Sequence, residues 1–175
     1  MSKQTRVLKQ QQKSVKNERK RQKLIQKLGN DAGNGSYDFL DSIHRVLGSV
    51  QAALCRDDPN NHERGVKVRG LQHIASAETV TLILEKLTIG EYPVLEKQPG
   101  GTYTSSFRPG SDECNYLRLM VLATENGVKL TPEYVRDRLG IDEEVAEIML
   151  EESSDKKGPL FKSEGSYVVN EDYWR

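Results

Sequence analysis

GVKVRGLQHIASAETVTLILEKL, residues 65–87, decides how the rest of the chain is read. It offers a short helix, a turn after Ile74, and a longer helix with Val80, Ile83, Leu84 and Leu87 on one face, the spacing of an amphipathic helix. A related stretch, GVKLTPEYVRDRLGIDEEVAEIML, occupies residues 127–150. Each opens with Gly-Val-Lys, and each is followed by an apolar strand, a glycine turn and a second strand. The chain therefore repeats one supersecondary unit.

Working back from residue 65, Leu40, Ile43, Leu47, Val50 and Leu54 step by three and four residues. They predict a helix from Ser36, its cap, to Arg56. Working forward, Ser76 caps the third helix and Gly90 ends it. Tyr92–Lys97 and Thr102–Phe107 predict strands joined through Gln98-Pro-Gly-Gly101, a hairpin turn. A short helix over 63–74 completes this half, with Val68, Leu71 and Ile74 facing inward. The pattern restarts after Arg108-Pro-Gly. Ser111 caps a helix whose face is Tyr116, Leu119, Met120 and Ala123. Thr131 with Pro132 opens the next helix, with Val135 and Leu139 inward. Asp142 caps the last helix, with Val145, Ile148 and Met149 as its expected stripe, and Glu164-Gly165 turns a second hairpin. Laid on each other, the halves match Val80, Ile83 and Leu84 with Val145, Ile148 and Met149, Pro93 with Pro159, and Tyr103 with Tyr167.

Three helices followed by a hairpin, made twice, resemble the winged helix-turn-helix superfamily over residues 37–107 and 111–172. The fold class expected is mainly α with small β-hairpins (α+β): tandem winged-helix domains preceded by a basic N-terminal arm. The divisions are the arm, flexible or helical, at 1–30, a first domain at 31–110 and a second, acidic domain at 111–175. The resemblance implies a DNA reader or a protein-binding module, both of which use this fold.

Charge sharpens that choice. The chain of 175 residues has no formal net charge, but residues 1–30 sum to +9, 31–110 to −2 and 111–175 to −7. Such asymmetry gives the arm a task separate from the body. The arm lacks Pro and has no Gly before Gly29. It reads either as a solvated, frayed segment or as one that orders on a polyanion. Arg19, Lys20, Arg21 and Lys23 are its densest cluster, and Gly29–Ser36 is a linker. In the first domain Arg64, Lys67 and Arg69 are the candidate phosphate contacts, which position a duplex without reading it. The third helix of the second domain would present Glu143, Glu144, Glu147 and Glu151 outward. Those carboxylates would repel a duplex and suit a basic protein partner. Trp174, near the chain's end, is either packed on the last hairpin or an anchor for that partner.

Enzymatic chemistry finds no support. HExxH, Walker and nucleophile-elbow patterns do not occur. His44 reads as a surface or satisfied histidine, His62 and His73 have no visible catalytic partner, and Asp57, Asp58, Asn60 and Asn61 read as turn residues rather than metal ligands. Cys55 and Cys114 lack metal or redox spacing, which favours a reducing compartment. No run is long and apolar enough to span a bilayer. The expectation is an intracellular, non-enzymatic protein without cofactor, metal or catalytic residues. It would bind nucleic acid, with DNA ahead of RNA, through its arm and first domain, and recruit a basic protein through its second. The alternative is an assembly adapter with no nucleic-acid role.

Overall fold

A computed structural model describes residues 3–28, 35–55, 64–105, 110–155 and 157–175. The chain divides into two compact units, Met1–Phe39 and Leu40–Arg175. It is mainly helical with small antiparallel sheets. The expected linker at 29–34, the helix end at Arg56, the loop bearing Asp57, Asp58, Asn60, Asn61 and His62, and Arg108 with Pro109 lie outside the described residues.

Residues Lys3–Leu28 form helix α1, so the arm is helical rather than frayed. Lys, Arg, Gln and Leu dominate it, all good helix formers. Helix α2, Gly35–Leu54, follows. It begins at Gly35, one residue before Ser36, whose side chain lies outside the described residues. Its expected face is buried throughout, from Leu40 to Leu54, with Val46 added.

The next element corrects the sequence reading. Residues Arg64–Lys67 are a strand, β1, and only Val68–Leu71 are helical, as α3. Strand β1 pairs antiparallel with β3, Thr102–Ser105, which also pairs with β2, Glu96–Lys97, in the order β1-β3-β2. Gly65 permits this approach, because a Cβ there would lie 3.3 Å from Thr102 Cγ2 and 3.4 Å from the Tyr103 carbonyl. Helix α4, Ala77–Lys86, is capped by Ser76, whose Oγ accepts from the Thr79 amide. Val80, Ile83 and Leu84 are fully buried, whereas Val68 and Ile74 are only half-buried. Between β2 and β3 the chain turns through Pro99 and Gly100, and Gly101 N–H donates to the Gln98 carbonyl.

The second half runs α5 (Asp112–Thr124), α6 (Pro132–Leu139), α7 (Glu143–Ser154), β4 (Leu160–Ser163) and β5 (Ser166–Val169). Ser111 and Thr131 cap as expected, accepting from Cys114 and Tyr134. Glu164 and Gly165 both have positive φ, 51° and 81°, the two-residue mirror-image turn suited to strand twist. A single bridge, Leu130 with Tyr167, stands where β1 stands in the first half.

That bridge shows how the repeat aligns. In the first half Val66 pairs with Tyr103, so the counterpart of Val66 is Leu130, immediately after the second Gly-Val-Lys and two residues past its Val128. In α7 the buried residues are Ala146, Met149 and Leu150, while Ile148 is 50% exposed and Val145 half-buried. The expected stripe was thus one residue out of register, a rotation of about 100° on a helix. Val80, Ile83 and Leu84 correspond to Ala146, Met149 and Leu150, as the N-cap positions of Ser76 and Asp142 also require, although Asp142, expected to cap α7, makes no side-chain capping bond.

Within Leu40–Arg175 the halves share a core. Helix α5 is buried nearly all round, including Leu117, Leu122 and Thr124. His44 on α2 donates from Nδ1 to the Val121 carbonyl at 3.0 Å, so this histidine is satisfied structurally. Tyr92 stacks on Tyr116, with ring centroids 5.5 Å apart, and its hydroxyl donates to Glu152. A final 3-10 turn, Glu171–Trp174, packs on α4, and Lys86 lies 4.6 Å from the Tyr173 ring centroid. Trp174 is fully buried. It is therefore not a surface anchor, and its turn reaches the first half rather than only the last hairpin.

Candidate functional site

The arm supplies the most regular arrangement of charge. Arg6, Lys9, Lys13, Lys16, Lys20, Lys23 and Lys27 alternate steps of three and four along α1. At 100° per residue these seven fall within an arc of about 100°, over about 32 Å of axis. Residues 4–20 are exposed, so Arg6, Lys9, Lys13, Lys16, Arg19 and Lys20 meet solvent. The side chains of Arg21 and Lys23 lie outside the described residues. Leu8 and Val15, both half or more exposed, occupy another side of the helix. Each like-charged neighbour three or four residues away opposes the helix by about 0.2–0.5 kcal/mol, so the four successive pairs from Arg6 to Lys20, among the described side chains, cost about 1–2 kcal/mol. A polyanion laid along the stripe would remove that cost.

The first-half cations do not gather on one helix as expected. Arg64 and Lys67 belong to β1 and Arg69 to α3. Lys67 and Arg69 are exposed, and the Arg64 side chain lies outside the described residues. Helix α4 offers little to a duplex: Lys86 is its one cation, and that ammonium sits over Tyr173.

The acidic face of α7 is also narrower than the sequence suggested. Glu143 accepts from Arg136. Glu151 Oε1 accepts from Lys162 Nζ at 2.8 Å and from the Tyr167 hydroxyl. Glu144 and Glu147 remain as the exposed carboxylates without an ion pair, and Ile148 lies beside them. Ile148, missed by the sequence reading, adds an apolar centre to the acidic surface.

Glu151 belongs to a device made twice. In the first half Glu85 Oε1 accepts from Lys97 Nζ at 2.7 Å and from the Tyr103 hydroxyl at 2.6 Å. In each half a glutamate late in the long helix thus ties down a lysine and a tyrosine of the hairpin, and the lysine also lies over the tyrosine ring. The lysine and the tyrosine hydroxyl together hold Glu85 below its ordinary value of 4.5, and Lys162 and Tyr167 do the same for Glu151. Burial, then the glutamate, pushes Tyr103 and Tyr167 up. The depressed carboxylates stabilise the fold above their unfolded pKa and lose that contribution as pH falls through the lower folded value. The tyrosines resist ionisation, so their contribution is lost as pH rises past 10, where the unfolded hydroxyls ionise. Both hairpins are thus fastened from about pH 5 to about pH 9.

Tyr103 is 1% exposed, and removing its hydroxyl by Tyr103→Phe should cost about 1 kcal/mol in urea unfolding. Glu85→Gln combined with it should be non-additive by about 0.5 kcal/mol or more, and additivity within error would mean that the three side chains act independently.

No family model matches the chain, and no curated protein resembles it significantly. Among the described residues no helix is long and apolar enough to cross a membrane, and no group of three His, Cys, Asp or Glu is placed to hold a metal.

Proposed function

We propose that this is an intracellular, non-enzymatic nucleic-acid-associated protein, a transcription or genome-maintenance accessory, that meets DNA ahead of RNA through its arm. In this reading residues 40–105 and 111–174 are tandem winged helices. The order helix, strand, helix, helix, hairpin, with the first strand added to the hairpin in the first half and a single Leu130–Tyr167 bridge in its place in the second, supports that assignment.

The observation that carries the proposal is the exposed cationic stripe of α1. Its charges among the described side chains, Arg6, Lys9, Lys13, Lys16 and Lys20, face a duplex that bears one negative charge per about 1.7 Å of axis. Lys67 and Arg69 extend phosphate contact to the first half. A basic protein is recruited by Glu144, Glu147 and Ile148, a surface revised from Glu143, Glu144, Glu147 and Glu151. Titrating a fluorescent duplex with the full chain at about 50 and 200 mM salt should show affinity falling by orders of magnitude. Flat or absent binding would overturn the reading.

One observation favours the adapter alternative. Glu85, Lys86 and Glu151, on the outer sides of the two long helices, are already engaged within the protein. Under that reading duplex binding is absent, while Glu144→Lys with Glu147→Lys still releases a protein partner. Under the leading reading the same pair releases the partner and leaves duplex affinity the same or higher. Retention of the partner by the pair would remove α7 from both.

A further inference from the structure

A cleft of about 210 Å³ opens between residues 89–92 of the first half and 152–159 of the second. Drug-sized ligands use roughly 300–1,000 Å³, so this space is scaled to a single side chain. Among the described residues Tyr92, Tyr116 and Tyr173 line it, with Glu91, Glu152, Asp155 and Lys157. Ser153 also lines it, 3% exposed, and its buried Oγ has no hydrogen-bond partner. An unanswered buried hydroxyl is unfavourable, so a donor that reached it as the cleft opened would be held. The loop that shapes the cleft is itself specified. Gly158 sits where a Cβ would lie 2.5 Å from the Ser153 carbonyl, so no other residue fits without moving the end of α7.

We propose that this cleft takes the guanidinium of an arginine in a basic polypeptide. The inference rests on the reading above that the second half recruits such a partner, and it adds a pocket to the α7 surface. Arginine answers each feature of the lining. Its planar cation stacks on a tyrosine face. Its fork of donors suits a carboxylate, and Tyr92 occupies only one of the roughly four acceptor positions on Glu152. A remaining N–H meets Ser153 Oγ. Lysine carries the charge without the plane or the fork. Burial first, and for Tyr92 also Glu152, pushes the three tyrosine hydroxyls up, so they stay neutral and add no charge of their own.

The test titrates the full-length protein with N-acetyl-arginine-N-methylamide and its lysine and citrulline counterparts, followed by NMR shifts of the tyrosine rings. Saturable binding is expected for arginine, with citrulline at least about tenfold weaker because the charge-assisted bonds are lost. Glu152→Gln should weaken the arginine probe by about tenfold and Ser153→Ala by about threefold, with Glu133→Gln, an exposed carboxylate of α6 outside the cleft, unchanged. Equal binding of citrulline, or indifference to both Glu152→Gln and Ser153→Ala, overturns the proposal. The variant Arg6→Lys, Arg19→Lys, Arg21→Lys distinguishes two sources of the occupant. Unchanged probe binding is expected, because the occupant is a separate basic protein, and tighter binding would place the protein's own arm in the cleft and overturn that assignment. The titration needs no macromolecular partner, so its failure removes the cleft alone, whereas failure of partner recruitment is read from Glu144 and Glu147.

Discussion

Replacing Arg6, Lys9, Lys13, Lys16 and Lys20 with glutamine is expected to flatten the salt dependence of duplex binding by about 4–5 in log–log slope, since each lost phosphate contact removes about 0.9. With seven contacts the intact stripe would have a slope near −6 and would lose roughly several thousandfold in affinity between about 50 and 200 mM salt. Glutamine keeps helix propensity close to that of lysine, so circular dichroism should show α1 retained or strengthened as the like-charge repulsion goes. A second variant separates arrangement from amount. Lys9→Gln, Lys13→Gln and Lys16→Gln combined with Gln4→Lys, Gln11→Lys and Gln22→Lys keep the +9 of residues 1–30 but move three charges to the opposite side of the helix. Loss of about three contacts' worth of slope is expected. An unaltered slope would mean that the arm acts as an unstructured polycation. An affinity untouched by the five-glutamine variant would remove the arm from nucleic-acid binding altogether.

The repeat was visible in the sequence, but the marker that first suggests it misleads. Gly65-Val66-Lys67 lies in a strand, whereas Gly127 has a φ of 64° and sits in the turn after α5, so the identical triplets do different work. What truly repeats is less alike in letters: Ser76 and Asp142 at the N-cap positions, Tyr103 and Tyr167 in the hairpins, Glu85 and Glu151 beneath them. Apolar weight pulled the α7 stripe onto Val145 and Ile148, because alanine at 146 looks less like core than isoleucine at 148. Only the tertiary contacts reveal that a small residue is needed where α7 is covered. The shortness of β1 hid it for a related reason. Four residues with one buried side chain, Val66, carry no period.

The candidate sites divide in the same way. The stripe of α1 follows from spacing alone, since a helix without proline fixes every angle. The engagement of Glu143 and Glu151 does not, because their partners Arg136 and Lys162 come from α6 and β4. The same holds for the cleft, whose lining comes from segments more than 60 residues apart. Helix α5 shows why burial was underestimated. An amphipathic face was expected, but α2 covers one side and its own half the other, so Leu117, Leu122 and Thr124 are enclosed as well.

Trp174→Ala is expected to destabilise the unit Leu40–Arg175 by about 3–5 kcal/mol, the usual result of emptying a large aromatic site. Total stability of a domain is about 5–15 kcal/mol, so the variant should stand near the edge of folding at ambient temperature. The expectation follows from position. The side chain is fully buried, its turn packs on α4, and its neighbour Tyr173 meets it edge-on at 5.1 Å between centroids. Tyr173 also carries the Lys86 ammonium on its ring, so the end of the second half is pinned to the first. Opposing this, the indole Nε1–H has no hydrogen-bond partner, which costs about 1–3 kcal/mol. Trp174→Phe removes that unanswered donor while keeping most of the ring, and should therefore cost only about 1 kcal/mol. Urea unfolding followed by circular dichroism measures both variants. In the parent protein Trp174 is the sole tryptophan, so its blue-shifted emission should move to longer wavelength in the same transition. If Trp174→Ala cost under about 1 kcal/mol, the ring would contribute little to the shared core, and the two halves would have to be held by other contacts, among them those of His44, Tyr92 and Tyr173. If Trp174→Phe proved as damaging as alanine, the indole nitrogen would have a partner, and the donor would be an asset to the fold instead of a cost.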